Sequence, residues 1–204
     1  ADIRDAFAKE MVETLREFYG DEPSQNPDLG RMINDRHFDR VAALIDKAKV
    51  LVGGQTDAGQ RYIAPTLLKD VSMDDAIMQE EIFGPVLPML TYSTLEELIV
   101  NLKKLPEHPL ALYLFTSSDQ VERQVLDNTQ FGGGCINNTV MHVANPNLPF
   151  GGVGESGMGA YHGKNSFDAF SHKRSILKAT TLFDIKFRYA PYKDKVNMLK
   201  KMIK

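Results

Sequence analysis

A single cysteine, Cys135, stands in the 204 residues, so no disulfide can close within the chain. That scarcity fits a reducing compartment and sets the expectation of a cytoplasmic protein. No apolar run approaches the roughly 18 residues that a membrane-crossing helix requires, so no transmembrane segment is expected. No secretory signal is read at the start either. An excess of one charge is missing as well: 24 Lys and Arg face 27 Asp and Glu, a formal net charge of −3. That balance leaves no electrostatic footprint for nucleic acid. The five histidines, His37, His108, His142, His162 and His172, fall at no metal-ligand spacing, so no metal site is expected. Repeats and low-complexity tracts are lacking too. What is present is ordinary globular material, 43% hydrophobic and 25% charged, long enough to bury a sizeable core. The chain opens at Ala1 directly on a helical pattern and reads as a piece of something longer.

Ile3, Phe7, Met11, Leu15 and Phe18 recur every three or four residues and predict a helix stopped by Gly20. A second helix is expected after Asn34 or Asp35 as N-cap, burying Phe38, Val41, Ala42 and Ile45. Val50–Val52 reads as a strand, and Arg61–Val71 as an extended stretch interrupted by Pro65. Ser93 with Glu96, and Asp119 with Glu122, have the spacing of helix-opening caps. Leu110–Phe115 is continuously apolar, as a strand covered on both faces would be, and Cys135-Ile136 sits in another short strand. Helices alternating with short strands predict an α/β fold with a largely parallel open sheet and flanking helices. From Asn145 onward prolines and glycines make a long irregular loop, of the kind that carries function.

Gly152-Val153-Gly154-Glu155-Ser156-Gly157 matches the dinucleotide fingerprint by its letters. That motif needs a strand before it and a helix after it, whereas Pro146 and Pro149 precede this one and more glycine follows. It is therefore not read as a Rossmann turn. Cys135 has His142 nearby in sequence, but only Ile136 and glycines beside it, so it is expected to be an inert, buried strand cysteine. The tail from Lys193 to Lys204 sets five lysines among Val196, Leu199, Met202 and Ile203. It reads as a frayed or docked terminal helix, with a membrane-surface helix as the alternative. Glu80-Glu81-Ile82-Phe83-Gly84-Pro85 places acids and a ring together at a sharp turn. A carboxylate there suits sugar hydroxyls and a ring suits a planar heterocycle; the plainer reading is a turn with solvated acids.

These residues carry a resemblance. Gln79 through Val86 resembles the E-x-F-G-P segment of NAD(P)-dependent aldehyde dehydrogenases, and Leu148 through Gly159 resembles their P-F-G-G loop. Tyr161-His162-Gly163-Lys164, Phe170 through Ser175, Arg61 through Thr66 and Pro109 through Tyr113 are similar to the class 3 branch in particular. The resemblance implies oxidation of medium-chain aliphatic or aromatic aldehydes to acids with NAD or NADP. Glu81 would accept hydrogen bonds from the nicotinamide ribose, and Phe83 would pack beside the cofactor. Phe150 would wall the aldehyde pocket, with Asn137 near the substrate side. Residues 1–178 would be a partial catalytic domain ending in a subunit-contact strand at Ser175–Lys178, and 179–204 a basic tail. A homodimer is the implied assembly.

The same resemblance implies what is missing. The family's nucleophilic cysteine lies in a G-Q-x-C segment, with the general-base glutamate further upstream, after a Rossmann-type domain. Gly54-Gln55-Thr56-Asp57 mimics the segment but has Asp57 where the thiol belongs, and it falls too late in the family's order. No catalytic residue is therefore assigned. The chain is expected to be inactive by itself and to need an N-terminal half as partner. The alternative is a non-catalytic oligomerisation or interaction module from a split or truncated gene.

Overall fold

The apolar stripe of the first residues closes into helix α1 (Arg4–Tyr19), whose C-cap Gly20 adopts φ +77°. Most of that stripe is uncovered: Ile3 and Phe18 are exposed, and only Ala8 is buried. Helix α2 (Asp35–Ala43) begins as its sequence predicts, the Asn34 side chain accepting from the His37 amide at 2.9 Å. It packs Phe38 and Val41 on the core. In the computed structural model residues 3–105, 108–192 and 195–202 are described.

Strands β1 (Val50–Val52), β2 (Thr56–Asp57), β3 (Tyr62–Ile63), β4 (Thr66–Leu68) and β5 (Val86–Pro88) follow. β4 lies between β1, antiparallel, and β5, parallel, while β2 and β3 form a separate antiparallel pair. On α2, these strands and the segment between β4 and β5 sits the hydrophobic core: Phe38, Val41, Ile63, Leu68, Val71, Ile77 and Val86. Helix α3 (Leu95–Leu102) is capped by Thr94, not Ser93. The Thr94 hydroxyl accepts from the Glu97 amide at 3.2 Å, and Glu97 accepts from the Ser93 amide at 2.8 Å, so the expected cap is real but one residue later. The capping of α4 (Asp119–Asn128) shifts the other way: Ser118 is the N-cap and Asp119 the first helical residue.

Between those helices runs β6 (Ala111–Leu114), which pairs in parallel with β7 (Gly133–Ile136). The expectation of a strand covered on both faces fails here. Tyr113 is 39% and Phe115 65% exposed, because a sheet of only two strands does not bury both of its faces here. The fold is α/β as expected, with its strands divided among three small sheets of two or three strands. Short helices α5 (Met141–Ala144) and α6 (Gly163–Ala169) close this region.

The chain separates into two compact units, Ala1–Ala169 and Phe170–Lys204, a boundary ahead of the one expected after Lys178. In the second unit Ser175–Lys178 forms no strand, and all four residues are exposed. An extended segment acquires a ladder only when a strand edge lies beside it. Helix α7 (Val196–Met202) occupies the tail; Lys193, Asp194, Ile203 and Lys204 lie outside the described residues. No described helix is long and apolar enough to cross a membrane.

Candidate functional site

The turn before β5 and the loop after α5 come together around one cavity of about 570 Å3. Glu80 and Glu81 line it from the turn, Tyr113 from β6, His142 from α5, and Phe150 and Ser156 from the loop. Two of the four residues singled out in the sequence, Glu81 and Phe150, thus line the same cavity. The other two stand differently. Phe83 is not part of the lining; its ring is 73% exposed, and its backbone is held at φ +47°, where a bulky residue is seldom found. Asn137 also sits at positive φ, and its amide is spent on the backbone. Its Oδ1 accepts from the Thr116 amide and its Nδ2 donates to the Thr116 carbonyl, both at 2.8 Å. That pair ties the end of β7 to the end of β6.

Phe150 is fixed by a two-way bridge with Tyr161: each amide donates to the other's carbonyl, at 3.0 and 2.9 Å. The ends of the glycine-rich loop are thereby pinned together. Inside it, the Ser156 hydroxyl accepts from the Val153 amide at 2.9 Å and donates to the Val153 carbonyl at 3.0 Å, closing a 3-10 turn over Gly154–Ser156. Neither strand nor long helix frames this segment, as expected for a motif that only spells a fingerprint. Around Phe150 the rings gather: His142 at 5.7 Å, Tyr161 at 5.6 Å edge-on, and His162 at 6.2 Å nearly parallel.

Cys135 departs from its expected isolation. It is half-buried, and its Sγ lies 3.5 Å from Nδ1 of His142, which is itself buried. Because β6 and β7 are parallel and in register, Cys135 stands opposite Tyr113 on the same face. The sequence shows only its chain neighbours; the imidazole arrives from the short helix that folds back over β7. Among the described residues His142 Nε2 has no hydrogen-bond partner.

On the rim, Glu155 receives backbone N–H groups, its own and that of His108, and these hold its carboxyl below the usual carboxylate range. Among the described residues no cluster of His, Cys, Asp and Glu suits a metal ion. The side chains on view suit an organic group with hydroxyls: carboxylates and aromatic rings line the same cavity, and Phe83 beside it is exposed.

Residues 1–176 match the model of the aldehyde dehydrogenase family. The chain belongs to that family. It is 47% identical to 4,4'-diaponeurosporen-aldehyde dehydrogenase of Staphylococcus aureus over 204 residues, covering 99% of this chain and 44% of that protein. It is 48% identical to the dimeric NADP-preferring aldehyde dehydrogenase of Rattus norvegicus, covering 93% and 42%. Several further relatives are named aldehyde dehydrogenase family 3, among them member B1 of Rattus norvegicus at 47% identity. The structure of Staphylococcus aureus AldH in its substrate-bound state superposes with a TM-score of 0.84 at 46% identity, over all of this chain and 44% of that one. The chain therefore spans less than half the length of these relatives.

Proposed function

We propose that this chain forms the part of an aldehyde dehydrogenase that holds the nicotinamide ribose and walls the aldehyde pocket. The observation that carries the reading is the shared cavity, lined by both Glu81 and Phe150. Glu81 accepts the ribose hydroxyls of NAD or NADP, and Phe83 lies against the flat end of the cofactor. When bound, that cofactor supplies the hydride acceptor. Phe150 and Tyr113 offer apolar faces to a medium-chain aliphatic or aromatic aldehyde and exclude water from it. Asn137 acts on the substrate side by fixing the β6–β7 ends. The nucleophilic cysteine and the general base come from an upstream half that this chain must meet; Cys135 is not the nucleophile. The working enzyme is a cytoplasmic homodimer, in which residues 1–178 complete the catalytic domain, Ser175–Lys178 finds a partner edge, and 179–204 form a basic tail.

The test is recombination. The chain incubated with NAD+ or NADP+ and benzaldehyde is expected to produce no reduced cofactor. Addition of an upstream half carrying the G-Q-x-C segment restores turnover, and Cys135→Ala leaves that turnover in place. Turnover by the chain without the added half, abolished by Cys135→Ala, would overturn the reading.

A second reading, an assembly module without catalysis, is favoured by one observation. Phe170, Leu177 and Leu182 in the C-terminal unit are each more than 90% exposed. Light scattering that found a discrete homo-oligomer, unchanged by the upstream half, would select it.

A further inference from the structure

The turn that carries Glu81 and Phe83 holds a costly shape. A phenylalanine at φ +47° has no favourable local reason to stay there, and such backbone persists only where its surroundings over-determine it. The surroundings are supplied by two consecutive residues of α2. Arg40 reaches across to the turn with both terminal nitrogens. Nη2 donates to the Ile82 carbonyl at 2.6 Å, and Nη1 donates to the Glu80 carboxylate at 2.9 Å. Nη1 also lies at 3.5 Å from the Glu81 carbonyl. Val41, fully buried, then presses against Gly84, where an added Cβ would stand 2.6 Å from Val41 Cγ1. The peptide units on either side of Ile82 are thus fixed by one planar guanidinium, and Gly84, just beyond Phe83, is fixed by contact.

The geometry points to Arg40 as a positioning residue for the cofactor end of the site, setting the Glu81 carboxylate and the Phe83 ring without touching the cofactor. The assignment rests on the proposed role of Glu81. Only a fork of fixed donors serves several acceptors at once, so a lysine, with one compact charge, is a partial substitute. The ion pair with Glu80 contributes little by itself, since both side chains are partly in water; the bonds to carbonyls carry the positioning. Occupying Glu80 in this way also leaves Glu81, among the described residues, as the carboxylate of the two at the cavity that pairs with no side chain.

The test uses Arg40→Met, which keeps the apolar stem and removes the donors, and Arg40→Lys. On the full chain, an endoprotease that cuts after glutamate is expected to cleave R40M at Glu80 and Glu81 about tenfold faster than the parent. Cleavage at Glu96 and Glu97 on α3 stays unchanged and serves as the internal control. In the chain combined with its upstream half, the dissociation constant for NADP+, read by titration, rises about tenfold in R40M and less in R40K. The KM for benzaldehyde does not move. Faster cutting at all four glutamates would mean a merely structural role and overturn the inference, as would unchanged cutting at Glu80 and Glu81. Glu81→Gln separates this proposal from the reading beneath it. If E81Q weakens NADP+ binding and R40M does not, the positioning role falls. If E81Q leaves binding unchanged, the ribose assignment falls and takes the positioning role with it.

Discussion

Residues up to Leu90 and residues from His108 to Ala169 meet at the cavity, yet they are built differently. The first stretch owns a core: seven mutually packed apolar residues from α2, the β1-β4-β5 sheet and the segment between β4 and β5. In the second, only Val125 and His142 are buried, while Phe115, Phe167 and Tyr161 face outward. Burial of a large apolar side chain contributes about 1.5–3 kcal/mol, so the first region supplies most of its own stability and the second little. The difference teaches where the site's parts come from. The carboxylate end is mounted on packed structure, and the aromatic wall on a region held by backbone bridges such as Phe150–Tyr161 and by amide pairs such as Asn137–Thr116. An open wall suits the surface of the proposed enzyme that its upstream half is expected to cover.

Unequal cores predict unequal responses. Leu68→Ala, at a side chain 1% exposed, is expected to cost about 2–5 kcal/mol in denaturant unfolding, whereas Phe167→Ala stays within about 0.5 kcal/mol. Equal losses would erase the contrast. Gly84→Ala puts a methyl against Val41 and is expected to cost about 1–3 kcal/mol, with part of that recovered when Val41→Ala makes room. Additive losses in the double variant would mean that the turn does not rest on α2. Asn137→Ala removes both hydrogen bonds to Thr116 and is expected to cost about 1–2 kcal/mol by thermal unfolding. No change would return Asn137 to a purely substrate-side role.

The smallest effect is on pH. Asp75 accepts from Lys49 and from the Ser72 amide and hydroxyl, and these partners, Lys49 first, hold its carboxyl below the usual carboxylate range. A carboxyl lowered on folding contributes stability that is present above its unfolded pKa, near 4, and is lost as pH falls through the folded value. Asp75→Asn should therefore flatten the acid limb of an unfolding-midpoint profile and leave the slope near neutrality alone. An unchanged acid limb would remove Asp75 from that account.

Much of the well-packed region could be read from its letters, because period and caps are local. The α1 stripe, the Asn34 cap and Val50–Val52 follow from neighbours in sequence. The caps of α3 and α4 slipped by one residue because Thr94 and Ser118 carry side-chain oxygens that accept a first-turn amide as well as those of Ser93 and Asp119 beside them. Glu81 and Phe150 were singled out through motifs, and the structure brings both to one cavity. The Cys135–His142 contact was not, since it depends on a short helix whose four residues carry too little periodicity to announce it. Arg40 was hidden for a related reason: its partners lie some forty residues away and are mostly carbonyls, which every residue has. Neither does local pattern decide whether a strand is covered, and β6 shows the consequence.

In the proposed enzyme one cavity brings cofactor contact at Glu81 together with substrate contact at Phe150. Steady-state kinetics of the recombined enzyme test it most directly, with Glu81→Gln and Phe150→Ala measured against both substrates. The account predicts a crossed pattern, E81Q raising the cofactor KM about tenfold with the aldehyde KM held, and F150A doing the reverse. Both variants moving the same constant, or neither moving any, would contradict it.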